Sequence, residues 1–187
     1  MTRPRLSVSP AALLLGALAF FFDSDGIVSA LVPAVCVHEL GHLLMLKAFH
    51  RRITCLRVGL TGLELDYAPR LEGLRSVLCA AAGPLAGGAY ALAACSVGRP
   101  FWLVSGAASF LLTVFNLLPI LPLDGGRVLI ALCPERTGQR ISLAAAALLL
   151  AGGVWICLSF RSWTLLLAGL WLTLCNATCF FRASGIE

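Results

Sequence analysis

The tract His38-Glu39-Leu40-Gly41-His42 places two imidazoles and one carboxylate within five residues. Residues four apart on an α-helix differ by about 40° around its axis, so His38 and His42 can point at one metal ion. Glu39 is rotated by about 100° from His38, near enough to reach a water at that ion without binding the ion. This spacing is typical of zinc peptidases, in which the ion polarises the scissile carbonyl and the glutamate acts as base. The tract therefore predicts metal-dependent peptide hydrolysis.

The surroundings of the tract are apolar, because it lies within a run from Gly26 to Phe49. Charged and metal-binding groups are costly at membrane depth, so a glutamate and two histidines there indicate a functional site. A structural pair of buried histidines with a glutamate partner is the alternative. The sequence favours hydrolysis inside a membrane.

The composition supports this setting, with 59% hydrophobic and 12% charged residues and a mean hydropathy of +0.93. These values are outside the usual range of soluble domains. Because one span needs about 20 largely apolar residues, we predict an all-α polytopic membrane protein with about six transmembrane helices. A secretory signal is the alternative for the first span, although no convincing small-residue cleavage site precedes Asp23. The predicted spans are Val8 to Phe22, Gly26 to Leu46, Leu74 to Val97, Phe101 to Leu118, Ser142 to Phe160 and Trp163 to Phe181.

The basic residues predict the orientation of these spans, since cytoplasmic loops retain Lys and Arg. With a cytoplasmic N-terminus, all of the Lys and Arg residues except Arg99 and Arg161 fall on the cytoplasmic side. We therefore expect a multi-pass protein of the cell membrane with both termini in the cytoplasm. Topology and attraction to anionic lipid explain the positive charge, so no nucleic acid partner is expected.

The connector from Arg51 to Pro69 alternates apolar and polar residues between glycines, which predicts a small β-hairpin-like element between the second and third helices. Its exposed edge could receive an extended substrate. A plain cytoplasmic connector whose basic residues fix topology is at least as well supported.

The eight cysteines contain no Cys-x-x-Cys pair, and most lie within predicted spans. Free cysteine behaves there as a small apolar residue, so we expect packing and no disulfide framework.

A catalytic zinc ion needs a third protein ligand and an open position for water. Asp124 is the strongest candidate, because Pro119 and Pro122 break the preceding helix and free backbone groups near the membrane interior. Gly125 and Gly126 then allow a tight turn. The alternative is that Asp124 caps the helix beginning near Gly125. The other acidic candidates are Asp23, Asp25, Glu64, Asp66, Glu72 and Glu135.

Asn116 and Pro119 are candidates for substrate binding. The Asn116 amide could bond a substrate strand or orient a zinc ligand, and it could equally join two helices. The small residues from Gly83 to Gly88 allow another helix to approach closely, so we expect them to pack around the site.

Three segments together resemble the site-2 protease family of intramembrane zinc metalloproteases: His38 to His42, Ala82-Gly83-Pro84, and Asn116 to Gly126. The resemblance is nearest to the small subgroup that activates membrane-tethered sporulation pro-sigma factors. It implies zinc held by His38, His42 and Asp124, with Glu39 as catalytic acid and base, and cleavage near the cytoplasmic face. Leu121 and Gly87 depart from the Pro and Asn of many members, which bears on contacts to a substrate strand.

We therefore predict a single membrane-embedded metalloprotease domain over residues 1–187, with a catalytic core at about 26–126 and accessory helices at 8–22 and 142–181. The predicted partners are the lipid bilayer and a transmembrane or membrane-associated protein substrate. A membrane regulatory partner is also compatible with this prediction. A non-catalytic metal-binding protein or metal transporter using the same ligands is the alternative. A transporter would favour further ionisable residues along the spans, which contain almost none.

Overall fold

The computed structural model describes residues 5–59, 62–69 and 71–183 of the chain. Helices account for most of these residues, which confirms the predicted helical class. The elements in chain order are β1 (Arg5–Val8), α1 (Pro10–Phe21), α2 (Ile27–Ala48), β2 (Arg52–Gly59), β3 (Gly62–Ala68), α3 (Gly73–Ser96), α4 (Pro100–Asn116), α5 (Asp124–Leu132), α6 (Glu135–Phe160) and α7 (Thr164–Ala183).

Each predicted span contains a helix, but the helices differ in length. Among the described residues, α2, α3 and α6 are long and apolar enough to cross a membrane. The first span was predicted to begin at Val8, which instead ends strand β1, and α1 has 12 residues. A helix of that length covers about 18 Å, less than the hydrocarbon core of about 30 Å. The count of six spans remains a prediction.

The predicted hairpin is present, and it belongs to a three-stranded sheet in the order β1-β2-β3. Strands β2 and β3 are antiparallel, and an ion pair of 2.7 Å joins Arg57 to Asp66 across them. Strand β1 pairs in parallel with β2, with Arg5 opposite Cys55 and Val8 opposite Val58. Sequence reasoning missed β1, because four residues leading into an apolar helix show no periodicity of their own. The parallel pairing brings the chain before α1 and the chain after α2 to one place.

The chain divides into two compact units, one up to Val114 and one from Phe115. In the first unit α2 packs on α3, and an apolar cluster forms around Leu46, Leu71 and Cys79. Three hydroxyl groups spaced four residues apart on α4 hydrogen-bond to α3 and so join these two helices. These are Ser105 with the Tyr90 hydroxyl at 2.7 Å, Ser109 with the Gly87 carbonyl at 2.8 Å, and Thr113 with the Pro84 carbonyl at 3.4 Å.

In the second unit α6 and α7 form a closely packed antiparallel pair. A Cβ atom on Gly153 would lie 2.8 Å from the Cα of Leu166, and one on Gly169 would lie 2.9 Å from the Cα of Leu150. The two backbones therefore approach each other directly at these glycines. Their apolar core is a cluster of Ile120, Leu123, Ala146 and Leu172.

No disulfide joins the cysteines of the described residues, and Cys79 is buried in the apolar cluster of the first unit.

Candidate metal centre

The two histidines of the tract lie one turn apart on α2, and both are buried, with 4% and 8% of their surfaces exposed. The Nε2 atom of His38 lies 3.4 Å from the Nε2 atom of His42. That separation is long for a hydrogen bond between nitrogens. Two imidazole ligands of one tetrahedral zinc ion are about 3.3–3.4 Å apart, since each Zn–N bond is about 2.0–2.1 Å. The pair is therefore already spaced to chelate one ion.

The backbone of α3 sets the tautomer of His42. Its Nδ1 atom lies 2.8 Å from the carbonyl oxygen of Cys79. Because a carbonyl can only accept, Nδ1 carries the proton and donates it, which leaves the Nε2 lone pair directed towards His38. A ligand histidine commonly makes this second hydrogen bond, which fixes the ring and raises its basicity. Sequence reasoning missed this partner, because a backbone carbonyl has no residue-type signal.

Glycines explain how α3 comes so close to these rings. A Cβ atom on Gly83 would lie 2.6 Å from Cε1 and 2.8 Å from Cδ2 of His42, and closer still to Nε2. A Cβ atom on Gly41 would likewise overlap the carbonyl oxygen of Ala82. The expected close packing of the small-residue tract is confirmed, and Gly83 in particular makes room for the His42 ring.

Glu39 follows His38 on α2 and is half-buried. Helix geometry predicts that its carboxylate lies beside the imidazole pair rather than in line with it. Its catalytic role remains a prediction.

Asp124 is the first residue of α5 and has 5% of its surface exposed. Leu123 occupies the N-cap position, and Asp124 follows it in the first turn of the helix. The Nη1 atom of Arg127 lies 3.7 Å from Oδ1 of Asp124, and the Arg127 side chain is 56% exposed. A buried carboxylate requires strong donors or a cation.

Two other acidic candidates have structural tasks. The Asp23 carboxylate accepts hydrogen bonds from the backbone N–H groups of Val28 and Ser29 at the start of α2. The bond from Val28 is the main cause that lowers the pKa of Asp23 below its usual value. Asp66 is paired with Arg57 in the sheet. Both carboxylates therefore already have partners of their own, and neither has to be assigned as a metal ligand.

Asn116 is the last residue of α4 and is half-buried, and Pro119 is exposed. The proposed substrate-binding roles of these two residues remain predictions.

The donors present fit zinc. Among the described residues, the buried His38 and His42 of the first unit and the buried Asp124 of the second unit each offer one ligand atom. Two imidazoles with one carboxylate is a ligand set of catalytic zinc sites, and it leaves one position of a tetrahedral ion for water. The set contains no thiolate, which would instead indicate a structural site.

Comparisons with known proteins agree with this chemistry. The family described as Peptidase family M50 matches residues 77–160, a range that includes Gly83 and Asp124. The site-2 protease from Methanocaldococcus jannaschii has a similar structure, with a TM-score of 0.69 and 19% sequence identity over 95% of this chain and 92% of that one. No curated protein matches the sequence. The two matches agree with the site-2 protease family predicted from the sequence: the family match covers part of the chain, and the structural match shows a similar fold.

Proposed function

We propose that this protein is an intramembrane zinc metalloprotease in which His38, His42 and Asp124 hold the ion and Glu39 is the general base. One observation carries the proposal. The Nε2 atoms of two buried histidines lie 3.4 Å apart on an apolar helix, and the hydrogen bond from His42 to Cys79 fixes one lone pair towards the other ring. A buried polar arrangement of this kind in a membrane helix indicates function rather than packing.

The residues of the chain account for the proton transfers of hydrolysis. The ion, when bound, supplies a Lewis acid that polarises the scissile carbonyl and makes water a better nucleophile. Glu39 accepts one proton as water adds to the carbonyl carbon. It then donates that proton to the leaving nitrogen as the C–N bond breaks. The second proton of the water passes from the new carboxyl group to the amine, so the products are a carboxylate and an ammonium group. Glu39 ends in its starting ionised form, ready for another turnover.

We propose that cleavage occurs near the cytoplasmic face. His42 lies six residues before the end of α2 at Ala48, or about 9 Å along the helix axis. Beyond that end the chain is basic, as expected for a cytoplasmic segment. The parallel pairing of β1 with β2 supports placing the N-terminal segment on this same side. A multi-pass topology with both termini in the cytoplasm follows from the charge bias.

The substrate class follows from the location of the base and the ligands. A protein segment must enter from the bilayer or from its surface, and its helix must unwind locally, because a helical peptide bond is shielded and hydrogen-bonded. A pro-sigma factor tethered to a membrane, as in sporulation, is one substrate of this class. A membrane regulatory partner is compatible with the same arrangement.

Replacing Glu39 with Gln tests the proposal. The purified variant should keep one zinc ion per chain, measured by mass spectrometry of the metal. Cleavage of a panel of single-span peptides in liposomes should fall by about 10²- to 10⁴-fold, since a general base contributes that much. Glu72→Gln is the matched control, because Glu72 is an exposed residue at the start of α3 and makes no side-chain capping bond. Equal cleavage by the Glu39 variant and the native protein would overturn the mechanism, and a metal-binding or transport role would then be favoured.

A further inference from the structure

The segment between α4 and α5, from Leu117 to Leu123, leads directly into Asp124 and lies outside both helices. Backbone groups that leave a helix at membrane depth need other partners. At Leu121 both the backbone N–H and the backbone carbonyl have such partners. The Leu121 N–H donates to Oγ of Ser142 on α6 at 2.7 Å, and the Leu121 carbonyl accepts from Nδ2 of Asn176 on α7 at 3.4 Å.

The two partner side chains also bond to each other, because Asn176 Nδ2 donates to Ser142 Oγ. They are completely enclosed, with 0% of Ser142 and 1% of Asn176 exposed. One hydroxyl oxygen thus accepts from both Leu121 and Asn176. Burying a polar side chain within an apolar helix costs free energy. A buried polar side chain with a specific backbone partner therefore indicates a structural or functional role.

Apolar contacts from the same two helices hold the residues on either side of Leu121. Ile120 and Leu123 pack in a cluster with Ala146 of α6 and Leu172 of α7. Ala146 follows Ser142 by four residues and Leu172 precedes Asn176 by four, so each helix presents one polar and one apolar side chain on one face. The α6–α7 pair therefore holds the segment in place through hydrogen bonds to its backbone and apolar contacts with its side chains.

The same segment packs closely against the turn that carries Asp124. A Cβ atom on Gly126 would lie 2.5 Å from the carbonyl carbon of Ile120 and 2.6 Å from the Leu121 nitrogen. A Cβ atom on Gly125 would lie 2.5 Å from the carbonyl carbon of Leu117. The segment thus lies directly against the first turn of α5. Any movement of the Leu121 peptide must displace this turn, because interiors are close-packed and transmit strain.

We propose that Ser142 and Asn176 are positioning residues for Asp124, which they orient through the Leu121 peptide. The inference rests on the proposed role of Asp124 as a zinc ligand. It makes α6 and α7 part of the metal centre rather than accessory anchors. Loss of either side chain should allow the segment to shift and Asp124 to leave its ligand position. Zinc affinity should therefore fall even in variants that still fold.

The experiment measures zinc affinity of the purified full chain by competition with a chelator, beside its thermal unfolding without metal. Ser142→Ala and Asn176→Ala should each weaken zinc binding by about 10-fold, at the lower end of the 10- to 100-fold effect of residues that orient ligands. Thr173→Val is the matched control. Thr173 lies on α7 close to Asn176, and its hydroxyl donates to the Gly169 carbonyl at 2.7 Å and to the Ala146 carbonyl at 3.4 Å, so its partners are backbone groups of α7 and α6.

The Thr173 variant should lose thermal stability comparably and keep its zinc affinity within about twofold. Equal zinc affinities in the Ser142, Asn176 and Thr173 variants would show that the network only stabilises the fold, and would overturn the inference. If an alanine variant does not fold, Ser142→Cys keeps the shape and leaves a weak acceptor. It should then weaken zinc binding by a few fold, and native affinity in that variant would also overturn the inference.

Combination with Asp124→Asn separates this inference from the proposed function. If Ser142 acts through Asp124, Ser142→Ala should cause no further loss of zinc affinity in the Asp124→Asn protein. Native zinc affinity in Asp124→Asn alone would remove Asp124 from the ligand set, and the proposed function and the positioning role would fall together. If Asp124→Asn strongly lowers zinc affinity but the Ser142 and Asn176 variants bind zinc like the native protein, only the positioning role is refuted.

Discussion

Gly83→Ala should damage the metal centre although Gly83 has no side chain and binds no metal. The new Cβ would lie 2.6 Å from Cε1 of His42, whereas carbon atoms pack at about 3.5 Å or more. The ring must therefore retreat by about 0.9 Å, or α3 must move away. A retreat of that size would lengthen the 2.8 Å bond from His42 to Cys79 to as much as about 3.7 Å, beyond hydrogen-bond range.

Both consequences can be measured. The overpacking should cost about 1–3 kcal/mol of unfolding free energy, and the misplaced ligand should lower zinc affinity by at least about 10- to 100-fold. Gly88→Ala on the same helix is the matched control, because its Cβ would meet only the Thr113 methyl at 3.9 Å. Alanine at Gly88 should keep zinc affinity and add up to about 1 kcal/mol of stability.

Chelator competition and thermal unfolding of both variants in the same detergent provide the assay. Native zinc affinity in Gly83→Ala would show that the space beside His42 is unimportant, and would refute the geometric reasoning.

Three further outcomes are expected. Asp124→Asn should lower zinc content after purification, and an undiminished content would exclude this carboxylate as a ligand. Gly153→Ala should destabilise the α6–α7 pair by about 1–3 kcal/mol, whereas Gly152→Ala, with no atom within 4 Å of the new Cβ, should be neutral or stabilising in thermal unfolding. Asp23 has a lowered pKa in the folded protein, so its stabilising contribution is complete above the ordinary carboxyl pKa and is lost as pH falls through the lowered value. Unfolding measured from about pH 7 to 3 should show this acid loss in the native protein and not in Asp23→Asn.

Much of the helical architecture could be predicted, because apolar length and basic flanking residues act over whole segments. The hairpin at residues 51–69 was predicted for the same reason, since alternation over several residues is a regular signal. Strand β1 was not, because its four residues acquire their conformation only by pairing with β2. The start of α1 was misplaced for the same reason.

The residues of the candidate metal centre divide in a similar way. His38 and His42 could be predicted from spacing on one helix, because a local period determines their common face. Support around them comes from groups distant in sequence, such as the Cys79 carbonyl and the space at Gly83. The network of Ser142 and Asn176 could have been noticed from the rarity of buried polar residues in apolar helices, but its partner, the Leu121 backbone, has no signal in the sequence.

The zinc K-edge absorption spectrum of the purified protein tests the central claim most directly. We expect one zinc ion per chain with two imidazole nitrogens at about 2.0–2.1 Å and oxygen ligands at about 2.0–2.2 Å. The histidine scattering should disappear when His38 and His42 are both replaced by Ala. A sulfur ligand at about 2.3 Å from the cysteines of this chain, or zinc that remains bound in the double variant, would contradict the account.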